Sequence, residues 1–235
     1  MHVLDTLFGN PFDTNTISDS RLAEFTRDHL QRLTQASVGN RYQALIAETK
    51  AAYDACFGTM VAEDVASSER GGLTQSTQSA LKAFQEAVAD QLEAAVRLAF
   101  GKSSPEYASF FPQGLTEYRQ ATLTTAPALM ERVVTLITTH QTALSAAQLT
   151  RFTQLRTAFQ SARQSQQEKK GQVSELKAAS KALRHALELR LWNNALVLAT
   201  EHLNQPEQAR VFFDAGLLTL PRRKKPEASD LPPHA

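Results

Sequence analysis

Apolar side chains recur every three or four residues along most of this chain, and no region sustains a two-residue alternation. That pattern predicts an all-α protein. The most helix-like stretch runs from about Gln172 to Leu203. Its first half aligns Val173, Leu176, Ser180, Leu183 and Leu187 on one face, and from Leu187 onward LELRLWNNALVLAT is apolar on nearly every side. The second feature is expected of a helix that other helices surround. At 1.5 Å per residue the segment would span ~48 Å, enough for shorter antiparallel neighbours to pack along it. The expected architecture is an antiparallel bundle of about six main helices around this central one.

Around it the same periodicity predicts the other elements in order. Residues 1–16 read as an apolar arm broken at Gly9-Asn10-Pro11, with Leu4, Leu7, Phe8 and Phe12 facing the bundle or a neighbouring subunit. Ser18 or Asp19 caps a first helix carrying Leu22, Phe25, His29 and Leu33, which ends near Gly39-Asn40. A second helix runs from about Arg41 to Ala66, with Gly58 inside it, and Ser67 to Gly72 reads as a turn. Thr74 then caps a third helix, striped with Leu81, Phe84, Val88 and Leu92 and stopped by Gly101. A fourth helix follows Pro127, a fifth runs from Ser145 to Gly171, and after the central helix a last one extends from Gln205-Pro206 to Gly216. The plan of short, long and long helices repeats in two halves, without a residue-level repeat between them.

The stretch GKSSPEYASFFPQG between Gly101 and Gly114 is the exception. Its length and its rings, Tyr107, Phe110 and Phe111 with Tyr118 beyond, predict an ordered aromatic lid or a groove for a partner. These four residues, with Phe8 and Phe12 of the arm, are the candidate interaction residues.

Composition narrows the function classes. Lys and Arg total 25 against 24 Asp and Glu, so no field recruits a polyanion and bulk nucleic-acid binding is not expected. The polyanion contact the chain does offer is Arg222, Arg223, Lys224 and Lys225, in a tail from Pro221 to Ala235 whose composition predicts disorder. No apolar run approaches the ~20 residues of a membrane span, and MHVLDTLFGNPFD lacks the basic start and apolar run of a signal peptide, so a cytoplasmic protein is expected. The single cysteine, Cys56, excludes an internal disulfide and reads as a small apolar filler.

Candidate chemistry is sparse. No glutamate is followed three residues later by histidine, as a carboxylate-bridged bundle metal site requires. The reversed pair His185 and Glu188 shares a helix face, and His140 completes a candidate metal-ligand set. Asn193 and Asn194 lie in the most apolar part of the central helix, so at least one amide needs buried partners, for which Arg190 is the nearest candidate. No phosphate loop, dinucleotide glycine pattern, nucleophile elbow or zinc-protease helix is present, and no cofactor is expected. The reading is a structural or protein-interaction module with a protein partner or a homo-oligomeric state. The alternative is a metal- or cofactor-binding bundle enzyme with its site near the central helix.

Overall fold

The computed structural model describes residues 9–14 and 16–219, and among them every regular element is helical. Phe8 and the basic residues Arg222, Arg223, Lys224 and Lys225 lie outside the described residues, as do the start of the arm and the tail. The helices are α1 (Asp19–Ala36), α2 (Gln43–Ala87), α3 (Glu93–Phe100), α4 (Pro105–Phe110), α5 (Thr116–Arg119), α6 (Ala126–Thr139), α7 (Ala146–Glu201) and α8 (Pro206–Arg210). A π-helical turn, Val88–Leu92, joins α2 to α3, and short 3-10 turns lie at Val38–Asn40 and Ala215–Leu218. No described helix is long and apolar enough to cross a membrane.

Local signals explain most helix ends. Ser18 precedes α1, and Asp19 lies in its first turn, where the helix dipole favours a negative charge. The helix stops before Gly39 and Asn40, which both take positive φ (65° and 63°), a conformation that asparagine tolerates better than most residues. Ser104 accepts the Tyr107 amide at 3.0 Å to cap α4, and Pro105 and Pro127 occupy first-turn positions of α4 and α6.

Two expected breaks are absent. Residues 67–72 form no turn: α2 runs unbroken for 45 residues through Gly71 and Gly72. Gly171 likewise stops nothing, because the expected fifth helix and the central helix are one 56-residue α7. A helical glycine costs only about 1 kcal/mol relative to alanine, and tertiary packing offsets that. Ala66, Thr77 and Val173 are buried there, Thr77 Oγ1 donates to Leu73 O at 2.8 Å and approaches Ala162 O at 3.2 Å, and Lys169 pairs with Glu69 at 2.7 Å. The last helix, by contrast, is shorter than expected. It ends at Arg210 because Phe212 and Phe213 turn into the core, and Asp214 then accepts the Gly216 amide at 2.9 Å.

The chain divides into two compact units. One comprises the described residues up to Val61 and from Ala178 on; the other is Ala62–Lys177. The first unit packs α1, the start of α2 and the end of α7. Pairings Arg41 to Glu201 and Thr49 to Asn194 show α2 antiparallel to α7, while Asp19 to Arg184 and His29 to Asn194 show α1 parallel to it. Phe12, Ile17, Leu22, Phe25, Cys56, Leu187 and Leu191 form one apolar cluster, and Leu33, Tyr42, Leu198 and Phe212 another. Burial pushes the Cys56 thiol up to about 11, which disfavours the thiolate.

The second unit has one core, built from Phe84, Val88, Leu92 and Val96 on one side and Met130, Val133, Ile137, Phe152 and Phe159 on the other. The aromatic stretch closes it. Tyr118, fully buried, donates its hydroxyl to Phe110 O at 2.7 Å, and burial pushes that phenol up to about 12.

Candidate functional site

The second half of α7 presents two contrasting faces. Inward, Leu187, Leu191 and Leu198 are fully buried, and among them Asn194 is buried too. The asparagine belongs to a polar chain that crosses three helices. Phe212 O can only accept, so the His29 Nδ1–H donates to it, at 2.9 Å, and in the neutral ring Nε2 carries no proton. That nitrogen therefore accepts from Asn194 Nδ2 at 3.1 Å, while the other amide N–H donates to Thr49 Oγ1 at 2.7 Å. Phe213 stacks on the imidazole with ring centres 4.5 Å apart. Burial pushes the imidazole below its usual range, against smaller upward pulls from the Phe212 carbonyl and Asp28, so the ring is neutral. The amide nitrogen has its partners while Oδ1 is buried without one, and Arg190 does not supply it: it pairs with Glu48. This network fixes the register of α1, α2 and α7.

Outward, α7 is uncovered. Counted as heptads, Ala182, Leu189, Leu196 and Leu203 occupy d positions and Ala186, Asn193 and Thr200 occupy a positions, with Leu203 in the turn that ends the helix. All seven are exposed. Leu189, Leu196 and Leu203 are 48%, 47% and 76% exposed. None of the seven carries a charge, although charged residues make up 21% of the chain. Trp192 and Val197 flank the stripe, half-buried. The neighbouring charges turn back onto the same chain, Arg190 to Glu48 and Glu201 to Arg41, and leave the stripe uncharged with a neutralised rim. The expectation that other helices surround this segment on every side is corrected here: α1 and α2 cover one side only. A leucine at every seventh position is legible in the sequence, but in a segment apolar all round it does not stand out.

The candidate metal ligands divide. His185 and Glu188 are brought together, with His185 Nδ1 3.9 Å from Glu188 Oε2, and Asp13 Oδ2 lies 3.7 Å from the same nitrogen. The three ligand atoms fall within 4.8 Å of one another. His140 is not among them. It lies at the end of α6 in the other unit, edge-on to Phe100 with ring centres 5.1 Å apart. Asp13 escaped sequence reasoning because it is far away along the chain. Glu188 is already engaged: Arg184 Nε donates to its Oε1 at 2.8 Å, and the same guanidinium holds Asp19 and, at 2.7 Å, Ile17 O. Burial pushes the Glu188 carboxyl up, and Arg184 opposes that shift. The arrangement clips the segment before α1 onto α7.

The remaining candidate interaction residues face inward. Phe12 is buried against Phe25 with ring centres 5.4 Å apart, and Phe110, Phe111 and Tyr118 are buried in the second unit. Tyr107 is half-buried and bonds Glu93 at 3.0 Å. These rings are already occupied by their own core. A surface groove of about 670 Å³ beside Arg32, Tyr42, His202 and Phe212 has its guanidinium committed to Asp28 at 2.6 Å and Val211 O at 3.0 Å. Comparison with protein-family models, curated proteins and solved structures finds no match for this chain.

Proposed function

We propose that this protein is a non-enzymatic helical interaction module whose docking face is the outward stripe of α7. The observation that supports it is the uncharged run of a and d positions from Ala182 to Leu203, exposed on a helix whose opposite face is locked into the core. Covering the exposed half of one such leucine is worth roughly 1 kcal/mol. A partner helix bearing its own apolar stripe would gain that at each layer, and the rigid core behind the stripe keeps α7 from deforming as it binds. The buried, lone thiol suits a reducing compartment such as the cytoplasm. The test is cross-linking in lysate with full-length wild type beside the Leu189→Glu, Leu196→Glu double variant. A partner band lost in the variant is expected; an identical pattern from both proteins would remove this reading.

A second reading, divalent-metal binding, is favoured by the convergence of Asp13, His185 and Glu188. Arg184 works against it, because a cation there must displace a guanidinium from Glu188. Near-stoichiometric zinc after dialysis against the metal, lost in His185→Ala, would establish it; metal content unchanged by that substitution would remove it.

A further inference from the structure

We infer that the occupant of the α7 stripe is a second copy of this chain, with the two α7 segments parallel and in register. This inference rests on the interaction role proposed above and adds the identity and orientation of the partner. Asn193 lies at the central a position, exposed between Leu189 and Leu196. Facing an arbitrary apolar helix, its amide would lose water and gain nothing, a net cost to binding. A second Asn193 resolves this, because an amide both donates and accepts and so can pair with its own copy. Only the parallel, in-register arrangement brings a positions face to face; an antiparallel one sets a against d and leaves Asn193 opposite leucine. In that register each of Leu189, Leu196 and Leu203 also meets its own copy.

Charge agrees with a symmetric pair, and area limits it to a weak one. The rim charges Arg190 and Glu201 are neutralised by Glu48 and Arg41 of the same chain, so no like charges are forced together along the seam. From Ala182 to Leu203 the stripe is roughly 32 Å long and ~10 Å wide, a flat footprint on the order of 300 Å² per copy. Standard interfaces bury ~800 Å² per partner, so the expected product is a weak, reversible dimer.

Sedimentation of the full chain across the micromolar range tests this. The mass should rise from one chain to two, and Leu189→Glu with Leu196→Glu should hold it at one chain at every concentration with an unchanged circular dichroism spectrum. Ala186→Cys tests orientation: two copies of residue 186 share a layer only in the parallel pair, so mild oxidation should give a disulfide-linked dimer, with buried Cys56 not competing. A wild-type dimer that Ala186→Cys fails to link overturns the parallel register. A single-chain mass at all concentrations overturns the dimer, and dimerisation appearing only after deletion of residues 1–8 would show that the chain's own N-terminal segment takes the face instead. A partner band lost with the leucines but no self-association would sink this inference alone; with neither, the interaction role falls too.

Discussion

The two units use the same pair of long helices in opposite ways. In residues 62–177, α2 and α7 enclose one aromatic-rich apolar core, and the only buried polar residue there is Thr77, which bonds backbone carbonyls. The other unit buries Thr26, His29, Thr49, Ser180, Glu188 and Asn194 and exposes Leu189, Leu196 and Leu203. Beside apolar clusters of its own, that unit carries more buried polar groups and a row of exposed leucines, whereas the unit of residues 62–177 exposes one leucine, Leu98. The contrast teaches that the first arrangement serves stability, whereas the second spends stability on register and leaves a row of leucines uncovered on a helix held rigidly from behind.

The largest expected effect tests the apolar unit. Phe84 and Phe152 meet edge to face with ring centres 6.2 Å apart, and each is 1% exposed. Phe152→Ala should cost about 3–5 kcal/mol in urea unfolding. Hydrogen exchange should show the loss first in residues 62–177; equal loss in both units would mean that they unfold as one. Next comes Asn194→Ala, which removes two buried hydrogen bonds and leaves His29 Nε2 and Thr49 without them. The expected cost is about 2–3 kcal/mol, read as lost protection in α1 and the end of α7. A cost under about 0.5 kcal/mol would show that the polar chain does not hold the helices.

A pH series sharpens the comparison further. His29 is neutral when folded and has its pKa lowered by burial, so below the ordinary value of 6.5 the unfolded chain binds more protons. Stability should therefore fall as pH drops from 6.5 toward the lowered folded value, and be fully retained above 6.5. Comparing wild type with His29→Gln isolates this from Glu188, whose raised carboxyl acts in the opposite sense. Identical pH profiles would rule out a titrating His29.

Smaller still is Gly171→Ala. This glycine is helical, and a Cβ added there meets nothing within 4 Å. The substitution should stabilise the protein by about 0.5–1 kcal/mol in thermal unfolding; destabilisation would mean that the helix is not continuous at 171. Smallest is Leu196→Glu, expected to change the stability of the isolated chain by less than about 0.5 kcal/mol while abolishing association.

Much of the fold was legible. The all-helical class, the ends of α1 and α3 at glycines 39 and 101, and the start of α7 after Ser145 follow from signals within a few residues of each site. Gly71, Gly72 and Gly171 misled because their local cost is small and contacts to a helix some 90 residues away decide the outcome. The candidate site was half legible: Arg184, His185 and Glu188 share one stretch of α7, but Asp13, and the Ile17 carbonyl and Asp19 that Arg184 also holds, reach them through the tertiary fold.

By itself, then, the sequence determined the helices and the need for buried partners at Asn193 or Asn194, since periodicity and a desolvated amide act through neighbours on the same helix. The tertiary structure alone decided which apolar face of α7 is covered. A helix apolar on every side has no preferred inward direction until its neighbours pack. With α1 and α2 on the side of Leu187, Leu191 and Leu198, the side of Leu189, Leu196 and Leu203 is left exposed.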